Sequence, residues 1–188
     1  MIKIGITGSL SSGKTTASKV LSYKRGPLFS ADTSVKELYQ ERSFLSVIRK
    51  KFKISNKIRI KDYLRKKIIE DKEILSKLEK IIHPLVRKKM KNFTSRHKNK
   101  NLLFYEIPLL IESKLMSFFD LIIFIRAKKK TRLKRFKSKH GNEKLFYFLN
   151  KKQIKDKEKI KFCDHVVVNE KNLIILKKNL LAIIKKYE

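Results

Sequence analysis

An α/β fold built on a mostly parallel, five-stranded sheet in three layers is what this 188-residue sequence predicts. Three observations lead there. Short apolar runs alternate with longer amphipathic stretches, the pattern of strands joined by helical crossovers. Most of the runs are near-continuous in Ile, Leu, Val and Phe, as strands covered on both faces must be. Hydrophobic residues make up 41% of the chain and aromatic residues 10%, enough for a real core in one compact domain with small inserted subdomains.

Taken in order, the expected strands are Ile2–Thr7, Leu28–Ala31, Leu102–Ile107, Leu121–Arg126 and His165–Val168. A helix is expected from Thr16 to about Tyr23, and another starting near Thr33. Leu64, Ile68, Leu75, Leu78, Ile82, Val86, Met90 and Phe93 recur at helical spacing, with Pro84 expected to break the run. An amphipathic helix over Leu173–Tyr187 closes the chain. Residues 33–100 and 128–162 are too long for plain crossovers and are charged and helical in pattern. They are expected as a helical subdomain and a lid inserted into a single domain spanning 1–188.

The formal net charge of +32 admits two readings. One is attraction to nucleic acid or an anionic surface. The other is compositional drift: 39 lysines stand against 10 arginines, Ile, Asn and Phe abound, and Trp is absent. That is the set AT-rich codons supply, and the lysines are spread along the chain. A nucleic-acid binder would favour arginine, whose planar fork binds bidentately. Drift is therefore the expectation, with no specific nucleic-acid partner. A single cysteine, Cys163, excludes an internal disulfide and fits a reducing cytosol. Lys3 and a Gly/Ser turn interrupt any secretory signal at the N-terminus, and no apolar run reaches the ~18 residues of a membrane span. A cytoplasmic protein without membrane contact, a monomer or weak oligomer, is expected.

Gly8-Ser9-Leu10-Ser11-Ser12-Gly13-Lys14-Thr15 matches G-x-x-x-x-G-K-[ST], between an apolar strand and a helix. At this chain's own residue frequencies a chance match somewhere has a probability of about 0.3%. The layout has physical reasons. Gly8 and Gly13 let the backbone wrap closely, so that N–H groups point at a phosphate. The following helix adds its partial positive charge. Lys14 reaches the β- and γ-phosphates, and the Thr15 hydroxyl is a Mg²⁺ ligand.

Acidic residues narrow the chemistry. Asp32 ends the second strand at the carboxyl edge of the sheet, where open α/β sheets bind ligands. It reads either as a base beside an acceptor hydroxyl or as the cap of the next helix, and the two are not exclusive. Glu106, ending the third strand, reads as an acidic position holding Mg²⁺ through water or as a rim residue without a role. Arg132, Arg135, Lys137 and Lys139 follow one another at helical spacing in the second insertion. A lid carrying cations over a transferring phosphoryl group is expected of kinases. Any one of these residues in so basic a chain is also expected as an ordinary solvated side chain.

With these residues in view, the chain resembles the dephospho-coenzyme A kinases from about Ile2 to Asn169. The matching pieces are Gly5 through Thr16, Ala31-Asp32, Leu64, Leu78-Glu79, His83-Pro84, and Ile107-Pro108-Leu109-Leu110-Ile111-Glu112. They continue as Leu133-Lys134-Arg135, Lys139, Gln153, Lys159, Asp164, Val166 and Asn169. The resemblance implies a P-loop kinase fold and transfer of the ATP γ-phosphoryl to the ribose 3′-hydroxyl of dephospho-CoA, with Mg²⁺ accompanying ATP. It implies that Ser11, Ser12, Gly13, Lys14, Thr15 and Thr16 cradle ATP, with Gly8 opening the loop and Asn169 near the base. It implies that Asp32 activates the acceptor and Arg135 contacts phosphate. His83, Pro84 and Pro108 would then lie on the acceptor side. Ser9 and Ser11 stand where the family usually has glycine, which makes the loop stiffer. Lys139 and Lys61 stand where it usually has arginine, which keeps the charge but loses the fork. Only Arg135 falls on the family pattern, so Arg132→Lys is expected to be nearly silent. The rival readings are another P-loop small-molecule kinase and a basic nucleic-acid-binding protein.

Overall fold

The computed structural model describes the backbone of all 188 residues; the side chains of residues 69 and 72 are not described. In chain order the first part runs β1 (Ile2–Gly8), α1 (Lys14–Ser22), β2 (Leu28–Ser30), α2 (Ala31–Leu38), α3 (Arg42–Phe52), α4 (Ile60–Glu70) and α5 (Lys72–Arg96). The rest runs β3 (Leu102–Glu106), a 3-10 turn (Met116–Phe118), β4 (Leu121–Arg126), α6 (Lys129–Lys137), α7 (Glu143–Lys152), α8 (Asp156–Ile160), β5 (His165–Val168) and α9 (Leu173–Ile184).

The five strands form one sheet in the order β2-β3-β1-β4-β5, every pair parallel. β1 is central, with Ile2–Ile6 paired to Leu102–Glu106 on one side and Ile4–Gly8 paired to Leu121–Ile125 on the other. The chain leaves β1 for β2 on one flank and later crosses from β3 to β4 on the other. The crevice of this topological switch therefore opens at the carboxyl end of β1, where the glycine-rich loop begins.

One face of the sheet is covered by α1 and α9. Ile4, Ile6, Phe104, Ile123 and Val167 pack there with Ala17, Leu21, Leu176, Leu180 and Ile184. On the other face Gly5 lies so close to its cover that an added Cβ would stand 2.8 Å from Leu110 Cδ1 and 3.0 Å from the Phe119 ring. The Tyr105 ring packs edge-on against Phe118 and Phe119, at 5.7 and 5.4 Å between centroids. Its hydroxyl lies 2.8 Å from that of Thr94, so the one polar atom of a buried ring is satisfied.

The chain forms two compact units, an α/β unit of Met1–Ser30 with Thr94–Glu188 and a helical unit of Ala31–Phe93. The helical unit has its own core of Leu38, Phe44, Ile48, Ile54, Ile60, Leu64 and Leu78. Pro84, expected to break the long helix, sits inside an unbroken α5. Pro84 faces solvent, while Leu78, Ile81, Ile82, Leu85 and Val86 on either side of it share one apolar core. That burial outweighs the ~3 kcal/mol that an interior proline costs a helix. Several boundaries also differ from expectation. β2 stops at Ser30 and Ala31 already opens α2, while α1 starts at Lys14 with Gly13 as its cap. Among the described residues no helix is long and apolar enough to cross a membrane.

Candidate active site

The site grows from the strand-to-helix turn after β1. Gly8 has φ +151°, and a Cβ there would collide with the Ile125 carbonyl of the neighbouring strand. Gly13 has φ +100°, and a Cβ there would strike the Asn169 amide. Both positions demand glycine, by conformation and by close approach. Ser11, where the resemblance expects glycine, takes a left-handed φ of 58°, at a cost of about 1–2 kcal/mol for a residue with a side chain. The first N–H groups of α1 have no partners within the helix, so the turn presents donors and a partial positive charge. Ser12 Oγ is buried without a hydrogen-bond partner, the kind of orphan found where a ligand completes the shell. Lys14 is only 8% exposed, and its ammonium donates to the Ser9 carbonyl at 3.0 Å.

Behind Lys14, the hydroxyl of Thr15 donates to Glu106 Oε1 at 2.5 Å, and Ser18 Oγ reaches Oε2 at 3.5 Å. Glu106 is 2% exposed, so it is no solvated rim residue. Strand β3 delivers a carboxylate and helix α1 a hydroxyl to one point. These are two hard oxygen donors, the set that suits Mg²⁺ when phosphates and water supply the other ligands.

Two further segments converge on the loop. Arg135 of α6 donates through Nη1 to the Ser12 carbonyl at 3.3 Å and through Nη2 to the Asn169 carbonyl at 3.0 Å. Asn169, just past β5 and 7% exposed, donates its side-chain amide to the same Ser12 carbonyl at 2.8 Å. The loop, α6 and the turn after β5 are thereby tied at Ser12. Glu170 fixes the start of α6 by accepting the Lys128 N–H and, at 2.9 Å, the Thr131 hydroxyl. Burial works against its charge, but those hydrogen bonds win and hold its carboxyl below the usual carboxylate range.

Arg132 departs from expectation. It is not solvated: it is 6% exposed and donates to the Ala127 carbonyl at 3.1 Å, the Leu10 carbonyl at 3.3 Å and Asn150 Oδ1 at 2.8 Å. Its place one turn before Arg135 on α6 turns it toward the loop after β1, at Leu10. Lys137, by contrast, is exposed and pairs with Glu143 at 3.1 Å, and Lys139 is exposed.

Pro108 follows β3 in the α/β unit, where its carbonyl accepts the Thr7 hydroxyl at 3.3 Å. Asp32, His83 and Pro84 belong to the helical unit. Asp32 is exposed and stands in the first turn of α2, inside the helix rather than at its cap, because β2 runs straight into α2. A carboxylate there still complements the helix N-terminus. His83 is partly buried and Pro84 exposed on α5. The Lys61 ammonium lies over the Tyr39 ring at 5.1 Å.

Sequence reasoning gave no role to the link between α7 and α8. The Ser9 hydroxyl donates to Asp156 Oδ1, and the Leu10 N–H donates to Gln153 Oε1 at 3.0 Å. Lys159, fully buried, pairs with Glu112 at 2.5 Å. Gln153, Lys159 and Glu112 match the family pattern, but no sequence signal separates Asp156 from other charged residues in a chain that is 35% charged.

Comparison with known proteins agrees with this architecture. The family model described as dephospho-CoA kinase matches residues 2–174. A dephospho-CoA kinase of Bartonella quintana is 37% identical over 175 residues, 90% of each chain, and one of Bartonella henselae is 34% identical over 187 residues, 97% of this chain and 96% of that one. The crystal structure of TT1252 from Thermus thermophilus superposes with a TM-score of 0.83 at 25% identity, covering 100% of this chain and 98% of that chain. A P-loop at the central strand, a matching family model over residues 2–174 and relatives covered nearly end to end lead to one conclusion: the chain belongs to the dephospho-CoA kinase family, kinases of the last step of coenzyme A biosynthesis.

Proposed function

We propose that this chain transfers the γ-phosphoryl group of ATP to the ribose 3′-hydroxyl of dephospho-CoA, giving coenzyme A and ADP, with the residues named above in defined roles. The observation that carries the reading is the convergence of Arg135 and Asn169 on the Ser12 carbonyl of the P-loop, beside Lys14 and the Thr15–Glu106 pair. Gly8 and Ser11–Thr16 hold the ATP phosphates through backbone N–H groups, with Lys14 on the β- and γ-phosphates. Asn169 lies toward the base. Asp32 orients the 3′-hydroxyl and takes its proton as the oxygen bonds to the γ-phosphorus and the bond to the β,γ-bridging oxygen breaks, releasing ADP. Arg135 meets the charge that spreads over the equatorial oxygens. His83, Pro84 and Pro108 serve to bind the acceptor.

Thr15, with Glu106 through water, would hold Mg²⁺. Bound there, the ion would neutralise phosphate charge and fix the geometry of the triphosphate. The helical unit serves as the acceptor subdomain and residues 128–162 as the lid. The protein works in the cytoplasm as a monomer or weak oligomer. Its charge is lysine-dominated and spread along the chain, so it engages no specific nucleic acid.

ADP release measured with dephospho-CoA, with water and with a panel of nucleosides and nucleotides tests the reading. Turnover that depends on dephospho-CoA is expected. A preference for a nucleoside or nucleotide acceptor would overturn it.

A further inference from the structure

We infer that Asp156 is a positioning residue for the nucleotide, acting through the hydroxyl of Ser9. The inference rests on the reading of Gly8–Thr15 as the ATP site.

Ser9 is the second residue of the phosphate loop and is 3% exposed. A hydroxyl buried to that degree needs a partner, and Ser9 finds one by donating to Asp156 Oδ1. The next residue is held from the same side, since the Leu10 N–H donates to Gln153 Oε1 at 3.0 Å. Both acceptors stand where α7 meets α8, Gln153 in the short link and Asp156 as the first residue of α8.

That link is itself anchored. The Ile154 N–H donates to Glu112 Oε1 at 3.3 Å, and the fully buried Lys159 pairs with the same carboxylate at 2.5 Å. A buried pair of this kind is costly to break, because removing one partner strands the other charge. The acceptors behind Ser9 and Leu10 are therefore fixed in place relative to β3 and the segment that follows it.

What Ser9 carries forward is the position of its own carbonyl, which accepts the Lys14 ammonium at 3.0 Å. It also sets the path of a loop that already holds Ser11 at φ 58°. A serine at the second loop position removes the freedom that glycine would have there. The hydrogen bond to a charged acceptor turns that stiffness into one defined conformation. Asp156 lies behind the backbone that cradles the phosphates, and its contact does not change as the γ-phosphoryl group moves. It supports ground state and transition state alike, so its loss raises KM for ATP and leaves kcat.

Steady-state kinetics of the full chain, with dephospho-CoA saturating and ATP varied, test this. Asp156→Ala should raise KM for ATP about 10-fold, with kcat within about 2-fold, as loss of a hydrogen bond to a charged group implies. Ser9→Ala removes the same bond from the other side and should do the same, which keeps the test available if Asp156→Ala does not fold. Asp156→Asn should rescue, since the amide oxygen still accepts. In a Ser9→Gly background, Asp156→Ala should shift KM by no more than about 2-fold, because there is no hydroxyl left to hold. Three results would overturn the inference: an unmoved KM in Asp156→Ala and Ser9→Ala, an equal 10-fold shift in the Ser9→Gly background, or a fall in kcat at constant KM, the mark of a smaller folded fraction. A wild-type chain that releases no ADP with dephospho-CoA would overturn the proposed function, and this inference with it.

Discussion

Replacing Arg132 by lysine keeps the charge and removes the geometry. The guanidinium, 6% exposed, donates to the Ala127 carbonyl, the Leu10 carbonyl and Asn150 Oδ1, and lies 5.8 Å from the centre of the Phe146 ring. An ammonium on a four-carbon stem is a point donor and reaches one of these directions, not three. Two acceptors then lose their donor in a site with little access to water. Each such loss costs about 1–3 kcal/mol where burial is complete, and discounting for the part-buried Leu10 and Asn150 contacts leaves about 2–4 kcal/mol in all. For a chain of this size, 1 kcal/mol is about 2–4 °C in the melting midpoint, so Arg132→Lys should melt about 4–16 °C below wild type. Thermal unfolding followed by circular dichroism reads this directly. KM for ATP should rise in the same variant, because the Leu10 carbonyl belongs to the phosphate loop. A midpoint within about 2 °C of wild type would show that the three hydrogen bonds contribute nothing net, and would refute the reasoning.

Three other outcomes are expected. Asp32→Asn should slow turnover at least ~10²-fold, since an amide cannot take the acceptor proton. Its stability should fall by less than about 1 kcal/mol, the worth of a charge in a helix's first turn; near wild-type turnover would remove Asp32 from the mechanism. Arg135→Lys should lower turnover by about 10-fold or more while ATP affinity changes less, because the fork that spans Ser12 and Asn169 is used most as charge spreads in the transition state. Equal losses in binding and turnover, by isothermal titration and steady-state kinetics, would contradict this. Burial, with Asp164 adding to it, pushes the Cys163 thiol up to about 12. At pH 8 only about one molecule in 10⁴ then carries a thiolate, so iodoacetamide should label the chain after unfolding in urea and not before.

Much of the framework was legible from local pattern. Parallel strands buried on both faces must be apolar at nearly every position, so β4 is legible with its observed ends, Leu121–Arg126, while β5, at the sheet edge with Val166 and Val168 exposed, is legible over His165–Val168 from its run of β-branched valines. The phosphate loop was legible because its backbone path requires glycine at 8 and 13, where a Cβ has no room. Pro84 was misread because propensity is local, while the core that keeps α5 whole is assembled from α2, α3 and α4 as well. Asp32 was read one step too far toward the strand, since nothing in Ser30-Ala31-Asp32 marks a helix that starts without a loop.

The sequence by itself determined the sheet, the loop and the family, because apolar periodicity, glycine placement and motif order are written along the chain. Only the tertiary structure added Arg132 to Lys14 and Arg135 as the basic residues, out of 49, that reach the loop. Arg132 and Arg135 stand three residues apart on one helix, and both reach the loop, across 122 and 123 residues of chain. Lys137 on the same helix does not; it pairs with Glu143. The hydroxyl of Ser9 meets Asp156 across 147 residues, and that of Thr15 meets Glu106 across 91. Contacts of that range follow from how helices pack on a sheet, a property no window of neighbouring residues contains.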